Sequence, residues 1–368
     1  MKTLLVTLIG DQTIPNVQFI KDKQDDKTLF LFVSTKKMEE KGVKDWIINV
    51  CKIEEDRAFT IIVDQFSLND IEEKLNELNY DEYDKLIVNV TGGTKIMSHA
   101  VTEFFKEFAS EIFYLTGIGN TILQVHPKTK QSVKSLINRI NLDEYLLSHG
   151  FEMKGGKLSG IPFVYTQKFI SLFLSNENSY SSVFRTLRDL RSDGKKKYDV
   201  NTVDGLSGFL EEIEFPLSVA KRQIITRPEI KYLTGEWFEE YIYYRFKQEL
   251  NISDENIKTG IILSKNNTQN EFDVVFLFNG NLYTIECKTS IINEEFNLML
   301  DTIYKATALQ KNLGLYSKSN IFTLSSKENK EVQEAHFERG RLFNIDVFCR
   351  EDIINCTSIA QLLKIQPC

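Results

Sequence analysis

The chain has 368 residues, 42% hydrophobic and 26% charged, with a formal net charge of −7: the balance of a soluble globular protein with length enough for two domains, each with its own core. No apolar run approaches the roughly eighteen residues that a membrane span requires, and the acidic balance gives no global pull toward nucleic acid, so a polynucleotide would have to be held in a local groove. Five scattered cysteines (Cys51, Cys287, Cys349, Cys356, Cys368) without CxxC spacing argue against a disulfide framework or a zinc site and for a reducing cytoplasm, while the four histidines form no HxxxH or HxH cluster.

The opening "MKTLLVTLIGDQ" reads as a buried first strand. Its apolar core is too short for a signal peptide, and Gly10-Asp11 stands where small residues should lead to a cleavage site. "TLFLFVS", "FTIIVD" and "KLIVNV" follow as further strands, separated by amphipathic stretches such as "KKMEEKGVKDWIINVCKIEE" and "SLNDIEEKLNELN". Strands that are apolar nearly throughout, alternating with helices, predict a parallel sheet covered on both faces. After the helix "KIMSHAVTEFFKEFAS", the strands "IFYLTG" and "TILQV" predict an antiparallel hairpin at the sheet edge. Residues 1–140 are thus expected to form a Rossmann-like α/β domain.

Within it, "NVTGGTKIMSHA" joins a buried strand to a helix. Gly92 and Gly93 permit a tight turn with close backbone approach; the free N–H groups of the helix N-terminus and Lys95 suit a phosphate. A merely structural turn accounts for the same residues. The pattern is not GxxxxGK[ST], and "GIGNTI" at Gly117 sits between strands, where a dinucleotide fingerprint does not belong.

Residues 141–228 read as a mainly helical connector. "PFVYTQKFISLFL" and "SSVFRTLRDLRS" have helical periodicity, and "SDGKKKYDVNTVDG" is a polar, basic loop. Residues 229–368 open with the helix "TGEWFEEYIYYRFKQEL" and continue through the strands "TGIILS", "FDVVFLFN" and "LYTIECKTS". A helical stretch "NEEFNLMLDTIYKATALQKNLG" and the strands "NIFTLS" and "NIDVFC" complete a second α/β unit with a mixed sheet.

The hairpin "FDVVFLFNGNLYTIECK" concentrates the chemistry. Asn279-Gly280 is the preferred pair for a two-residue type I′ turn. Counting back from it places Asp273 opposite Glu286, with Lys288 two residues on along the same face. Facing carboxylates repel, and Mg²⁺ or Mn²⁺, held by one or two carboxylates plus water and phosphate oxygens, removes the conflict. Such a site suits phosphodiester hydrolysis, with Lys288 orienting water or offsetting charge in the transition state. A solvated sheet margin is the alternative. Glu-x-Lys recurs at Glu39–Lys41, Glu72–Lys74 and Glu328–Lys330, on expected surface helices or loops, where solvation explains it.

Asp273 followed by Glu286-Cys287-Lys288 resembles the D–(D/E)xK core of restriction-endonuclease-like nucleases, and "GEWFEEY" resembles the Gly-x-Trp-x-Glu signature of one subgroup. The resemblance implies catalytic roles for Asp273, Glu286, Lys288 and Glu239. It implies metal ligation by Asp273, Glu286, Glu239 and the backbone carbonyl of Cys287. The strand, "TGGTK" and the following helix with Met97 resemble the signature of CRISPR-associated Rossmann-fold (CARF) domains. That likeness implies a cyclic oligoadenylate, most often the tetra-adenylate, held by Thr91, Gly92, Gly93, Thr94 and Lys95. The loop "GDQTIPN" would add Gly10 and Gln12, and the end of the second strand Ser34 and Thr35.

Together the chain resembles a CRISPR-ancillary nuclease with an N-terminal CARF sensor and a C-terminal restriction-endonuclease-like effector. This implies a cytoplasmic homodimer that cuts DNA and/or RNA, with single strands favoured, in Mn²⁺ or Mg²⁺ once its activator binds, and that has no membrane association. The competing expectations are a cyclic-oligonucleotide-sensing DNA-binding regulator, for which "RTLRDLRSDGKKK" is a faint candidate recognition element, and a non-catalytic interaction module.

Overall fold

The structure is a computed structural model that describes residues 1–116, 121–130, 132–135, 140–215, 223–289, 298–328 and 334–365. The chain divides into two compact units. One comprises Met1–Glu152 with Asn279–Asn281 and Asn312–Tyr316; the other comprises the remainder from Met153.

In the first unit, β1 (Thr3–Leu8), β2 (Thr28–Ser34), β3 (Ala58–Ile62), β4 (Lys85–Asn89) and β5 (Ser110–Thr116) pair in parallel. β6 (Thr121–His126) and β7 (Ser132–Ser135) then add antiparallel, in the order β3-β2-β1-β4-β5-β6-β7. The expected β5–β6 pairing is present, while its "IGN" connection lies outside the described residues. Every residue of β1 is buried, as an inner strand covered on both faces requires. Leu4, Val6, Leu8 and Val88 pack with Met97, Val101 and Phe105.

The helices are α1 (Ile14–Lys23), α2 (Lys36–Glu40), α3 (Val43–Cys51), α4 (Leu68–Asn76), α5 (Lys95–Lys106) and α6 (Leu142–Ser148). Two differ from expectation. "KKMEEKGVKDWIINV" is two helices, broken at Gly42. "GDQTIPN" is only partly loop, because α1 already begins at Ile14 with Pro15 in its first turn, where a missing N–H costs nothing.

In the second unit the strand order is β15-β14-β13-β12-β11-β8, made by β8 (Glu152–Gly155), β11 (Ile257–Lys265), β12 (Thr268–Phe278), β13 (Asn281–Lys288), β14 (Ser317–Thr323) and β15 (Ile345–Phe348). β11 and β12 are antiparallel; β13, β14 and β15 are parallel. Within 153–228, the long helix α7 (Phe163–Ser192) is part of this unit's core. Phe169 and Phe173 meet Trp237 of the helix Trp237–Glu249 at ring distances of 5.0 and 5.1 Å. The basic stretch expected as loop includes a strand, β9 (Lys197–Asp199), paired antiparallel with β10 (Ile224–Thr226).

Candidate functional sites

The first site is built on the β12–β13 hairpin of the second unit. Asn279 and Gly280 have φ of +48° and +76°, the backbone that a type I′ turn demands. Asp273 and Glu286 are only 9% and 6% exposed. Asp273 Oδ2 accepts from the Cys287 N–H at 2.7 Å, and the Asp273 carbonyl accepts from Thr259 Oγ1 at 2.8 Å. Buried carboxylates survive only when partnered, and here the partner is an ammonium. Lys288 Nζ lies 3.3 Å from Asp273 Oδ2, 2.9 Å from Glu286 Oε2 and 3.3 Å from the Cys287 carbonyl oxygen. The sequence showed no sign of a second cation: Lys305, on the helix Leu298–Gln310, reaches Glu286 Oε1 at 2.7 Å.

Burial and the neighbouring Glu286 push the Asp273 carboxyl up to about 6, against the pull of Lys288. Burial also opposes ionisation of Glu286, but the Lys288 and Lys305 ammoniums outweigh it and hold that carboxyl below the usual range. The raised Lys288 pKa has the same origin: the two carboxylates overcome the cost of desolvating its charge.

Glu239 and Glu240 divide the acidic residues of "GEWFEEY" between two tasks. The buried Trp237 and Phe238 fix the helix in the core. Glu240 turns to Ser159 and accepts from its N–H at 2.5 Å and its hydroxyl at 2.9 Å. Glu239 instead feels Asp273: burial first, then Asp273 and Glu236, push it up to about 9. The helix glutamate is thus brought near Asp273, with Glu236 also close to it.

Among the described residues, no three His, Cys, Asp or Glu side chains form a ready metal cluster. What the structure offers is a cation cage of two carboxylate oxygens and one carbonyl, in which Lys288 serves as the cation. Hard oxygen donors of this kind fit Mg²⁺ or Mn²⁺, which keep several positions for water and phosphate. The Cys287 thiol is buried, and burial raises its pKa well above the ordinary thiol value, consistent with packing.

The second site lies at the carboxyl ends of β1 and β4, between which the strand order reverses direction and where α/β sheets take ligands. A Cβ on Gly92 would stand 2.0 Å from the Leu8 carbonyl oxygen, and one on Gly10 would stand 2.9 Å from Gly93 N. The two turns therefore touch through backbone that tolerates no side chain there. A buried amide network holds them. Asn16 Nδ2 donates to Thr7 Oγ1 and to the Leu8 carbonyl, both at 2.8 Å, Asn89 Nδ2 donates to Thr7 Oγ1 at 3.1 Å, and Thr91 Oγ1 donates to Asn89 Oδ1 at 2.6 Å. Asn16 and Asn89 carry no motif and escaped the sequence reading.

The residues expected around this turn fall into two groups. Lys95 and Gly93 are exposed, at the start of a 12-residue helix, where free N–H groups and the helix dipole favour an anion. Thr91 and Thr94 are half-buried and mainly shape the turn; Thr94 Oγ1 caps α5 by accepting from Met97 N at 3.2 Å. Ser34 is fully buried, and Thr35 is buried with its hydroxyl capping α2, so neither presents a free hydroxyl at the surface. Gln12 Oε1 accepts from the Leu315 N–H at 3.3 Å.

The family model of the Card1 CARF domain matches residues 4–145, and that of the Card1-like endonuclease domain matches residues 227–352. Among solved structures, Can2 from Sulfobacillus thermosulfidooxidans in complex with cyclic tetra-adenylate is similar over 98% of both chains, at 21% identity and a TM-score of 0.74. Protein VC1899 from Vibrio cholerae is similar over 95% of both chains, at 16% identity and a TM-score of 0.73. A type III CRISPR defence DNA nuclease activated by cyclic oligoadenylate is similar over 88% of this chain and 45% of that one, at 14% identity and a TM-score of 0.51. Curated proteins return no match. At these identities the solved structures establish the fold, and the family models carry the assignment: the chain belongs with the Card1-type CRISPR nucleases, a CARF domain at residues 4–145 followed by a Card1-like endonuclease domain at residues 227–352.

Proposed function

We propose that the protein is a metal-dependent nuclease of type III CRISPR defence, switched on by cyclic tetra-adenylate and cutting DNA and/or RNA, with single strands favoured, as a cytoplasmic homodimer. The observation that carries this reading is the cation cage of Asp273 Oδ2, Glu286 Oε2 and the Cys287 carbonyl inside the domain matched by the endonuclease family. The ligand printed for the Can2 structure supports the activator, as do the tight β1/β4 turns with Lys95 exposed beside them.

Asp273, Glu286 and the Cys287 carbonyl would hold Mn²⁺ or Mg²⁺, which supplies an activated water and neutralises charge on the phosphate. Lys288, released from the cage, orients the attacking water and offsets charge that develops on the phosphoryl oxygens. Burial and the neighbouring Asp273 favour the protonated form of Glu239 in the metal-free site; a divalent ion held by Asp273 would favour its ionised form, in which Glu239 would serve as a further ligand. A symmetric ring suits an isologous dimer, and it activates only by binding the competent arrangement more tightly than the idle one.

The test is cleavage of labelled single- and double-stranded DNA and RNA in Mn²⁺, with and without cyclic tetra-adenylate. Activator-dependent cutting is expected to fall by at least about 10²–10³-fold in Glu286→Ala and Lys288→Ala, the scale for losing one preorganised charge-stabilising group, with activator affinity unchanged. Cutting that survives in Glu286→Ala would refute the site.

A further inference from the structure

The basic stretch of the second unit has no role in the reading above. Arg191, at the end of α7, is followed by the exposed Lys195, Lys196 and Lys197. Lys231, at the end of the helix Arg227–Lys231 that follows β10, acts on Glu236 together with Arg191. In a chain of net charge −7, exposed cations would ordinarily find carboxylates. Arg191 donates to a threonine hydroxyl and Lys195 lies 6.0 Å above the Tyr198 ring. Three of the acids two residues from these cations are engaged locally: Asp193 by the Tyr198 hydroxyl and the Lys195 N–H, the latter at 2.9 Å, Asp199 by the Asn201 N–H at 2.9 Å, and Glu229 by the Thr226 N–H at 2.7 Å.

The stretch is also anchored. The Lys196 carbonyl accepts from the Arg227 N–H at 3.0 Å, and Lys197 pairs with Thr226 in the ladder. It leads to the carboxylate site. Arg191 Nη1 donates to Thr234 Oγ1 at 3.3 Å, on the turn Tyr232–Glu236 that opens into the helix bearing Glu239. Burial raises the Glu236 pKa while Lys231 and Arg191 lower it, so the positive surface reaches the rim of the acidic cluster.

We propose that Arg191, Lys195, Lys196, Lys197 and Lys231 form the track on which the nuclease holds the sugar-phosphate backbone of its substrate, to one side of the cleaved bond. The inference rests on the nuclease reading. Four ammonium groups and one guanidinium, the latter already engaged with Thr234, suit phosphate contacts, which carry no sequence information, and the affinity of such a track must fall with salt as counterions are released.

The test measures binding of a labelled single-stranded oligonucleotide to the full chain carrying Asp273→Asn, which cannot cut, across a salt series. Lys195→Ala/Lys196→Ala/Lys197→Ala in that background should weaken binding and flatten the slope of log K against log salt by about 2, at roughly 0.7 per phosphate contact on a single strand. In the otherwise wild-type chain the same triple change should raise KM and spare kcat, and the three-arginine variant should restore both. An unchanged slope and KM, while Glu286→Ala still abolishes cutting, would overturn the track and leave the nuclease reading standing. Loss of binding to poly-glutamate, with nucleic-acid binding untouched, would assign the surface to an acidic protein and overturn the track as well. A wild-type chain that neither binds nor cuts nucleic acid would sink the nuclease reading and the track with it.

Discussion

At the scale of single residues, the centre of the molecule is an electrostatic conflict that two lysines keep quiet. Asp273 and Glu286 are buried side by side, yet their carboxyls move in opposite directions: Asp273 up to about 6, Glu286 down. For Asp273 the folded value exceeds the unfolded one, so folding favours its protonated form. Its penalty to stability is absent below about pH 4, grows as pH rises from about 4 to about 6 and is constant above. A metal needs the ionised form. Mn²⁺ affinity is therefore expected to weaken as pH falls from 7 to 5, followed by calorimetric titration without nucleic acid; in Asp273→Asn the residual affinity should lose that dependence. Asp273, Glu286 and Lys288 were legible in the sequence because strand alternation and a two-residue turn fix side-chain placement to within one position. Lys305 was not. It reaches Glu286 from a helix nineteen residues along, and only tertiary packing sets that meeting.

At the scale of elements, the glycine turns show why a motif can be read while its support cannot. "TGGTK" announced a tight strand-to-helix connection, and the structure supplies the reason for Gly92: a Cβ there would collide with the Leu8 carbonyl at 2.0 Å. Gly92→Ala is expected to cost about 1–3 kcal/mol, the usual range for overpacking, and to raise the activator concentration for half-maximal cleavage. Urea unfolding and a dose–response curve check the two effects. The buried amides of Asn16 and Asn89 that hold the turn were invisible, since an asparagine on a helix or at a strand end has many reasons to be there. The same limit applied to the start of α1: the polar loop composition of "GDQTIPN" masked a helix whose first turn contains a proline. Periodicity revealed two helical stretches, which the structure joins into the single helix α7, and burial of Phe169 and Phe173 against Trp237 is long-range and left no local trace.

At the scale of the whole molecule, the two families lie in a fixed order along one chain, and the proposed activity requires the two domains to be coupled. Lys95→Glu should shift the cleavage dose–response to higher cyclic tetra-adenylate concentrations with maximal rate preserved. An unmoved curve would remove Lys95 from the activator site. Sedimentation of the full chain should return twice the 42.6 kDa chain mass with and without activator, since a ring bound across a two-fold axis needs both copies in place.

The cage around Lys288 has a consequence for how such an enzyme is stored. Its pocket carries its own counterion, a tethered ammonium that cannot diffuse away, so on the proposed mechanism the idle protein would depend little on a divalent ion. A divalent ion taken up as proposed would have to evict that tenant, and its net stabilising effect would be reduced accordingly. Lys288→Met empties the tenancy and leaves the carboxylates facing one another with only Lys305 against one of them. The melting temperature of the metal-free variant should fall below wild type, and saturating Mn²⁺ should raise it by a larger increment than in wild type. Equal increments, followed by differential scanning fluorimetry, would show that lysine and metal occupy different places. Under the first outcome, a dormant nuclease keeps its shape in a metal-poor cell and is loaded only when it is to be used.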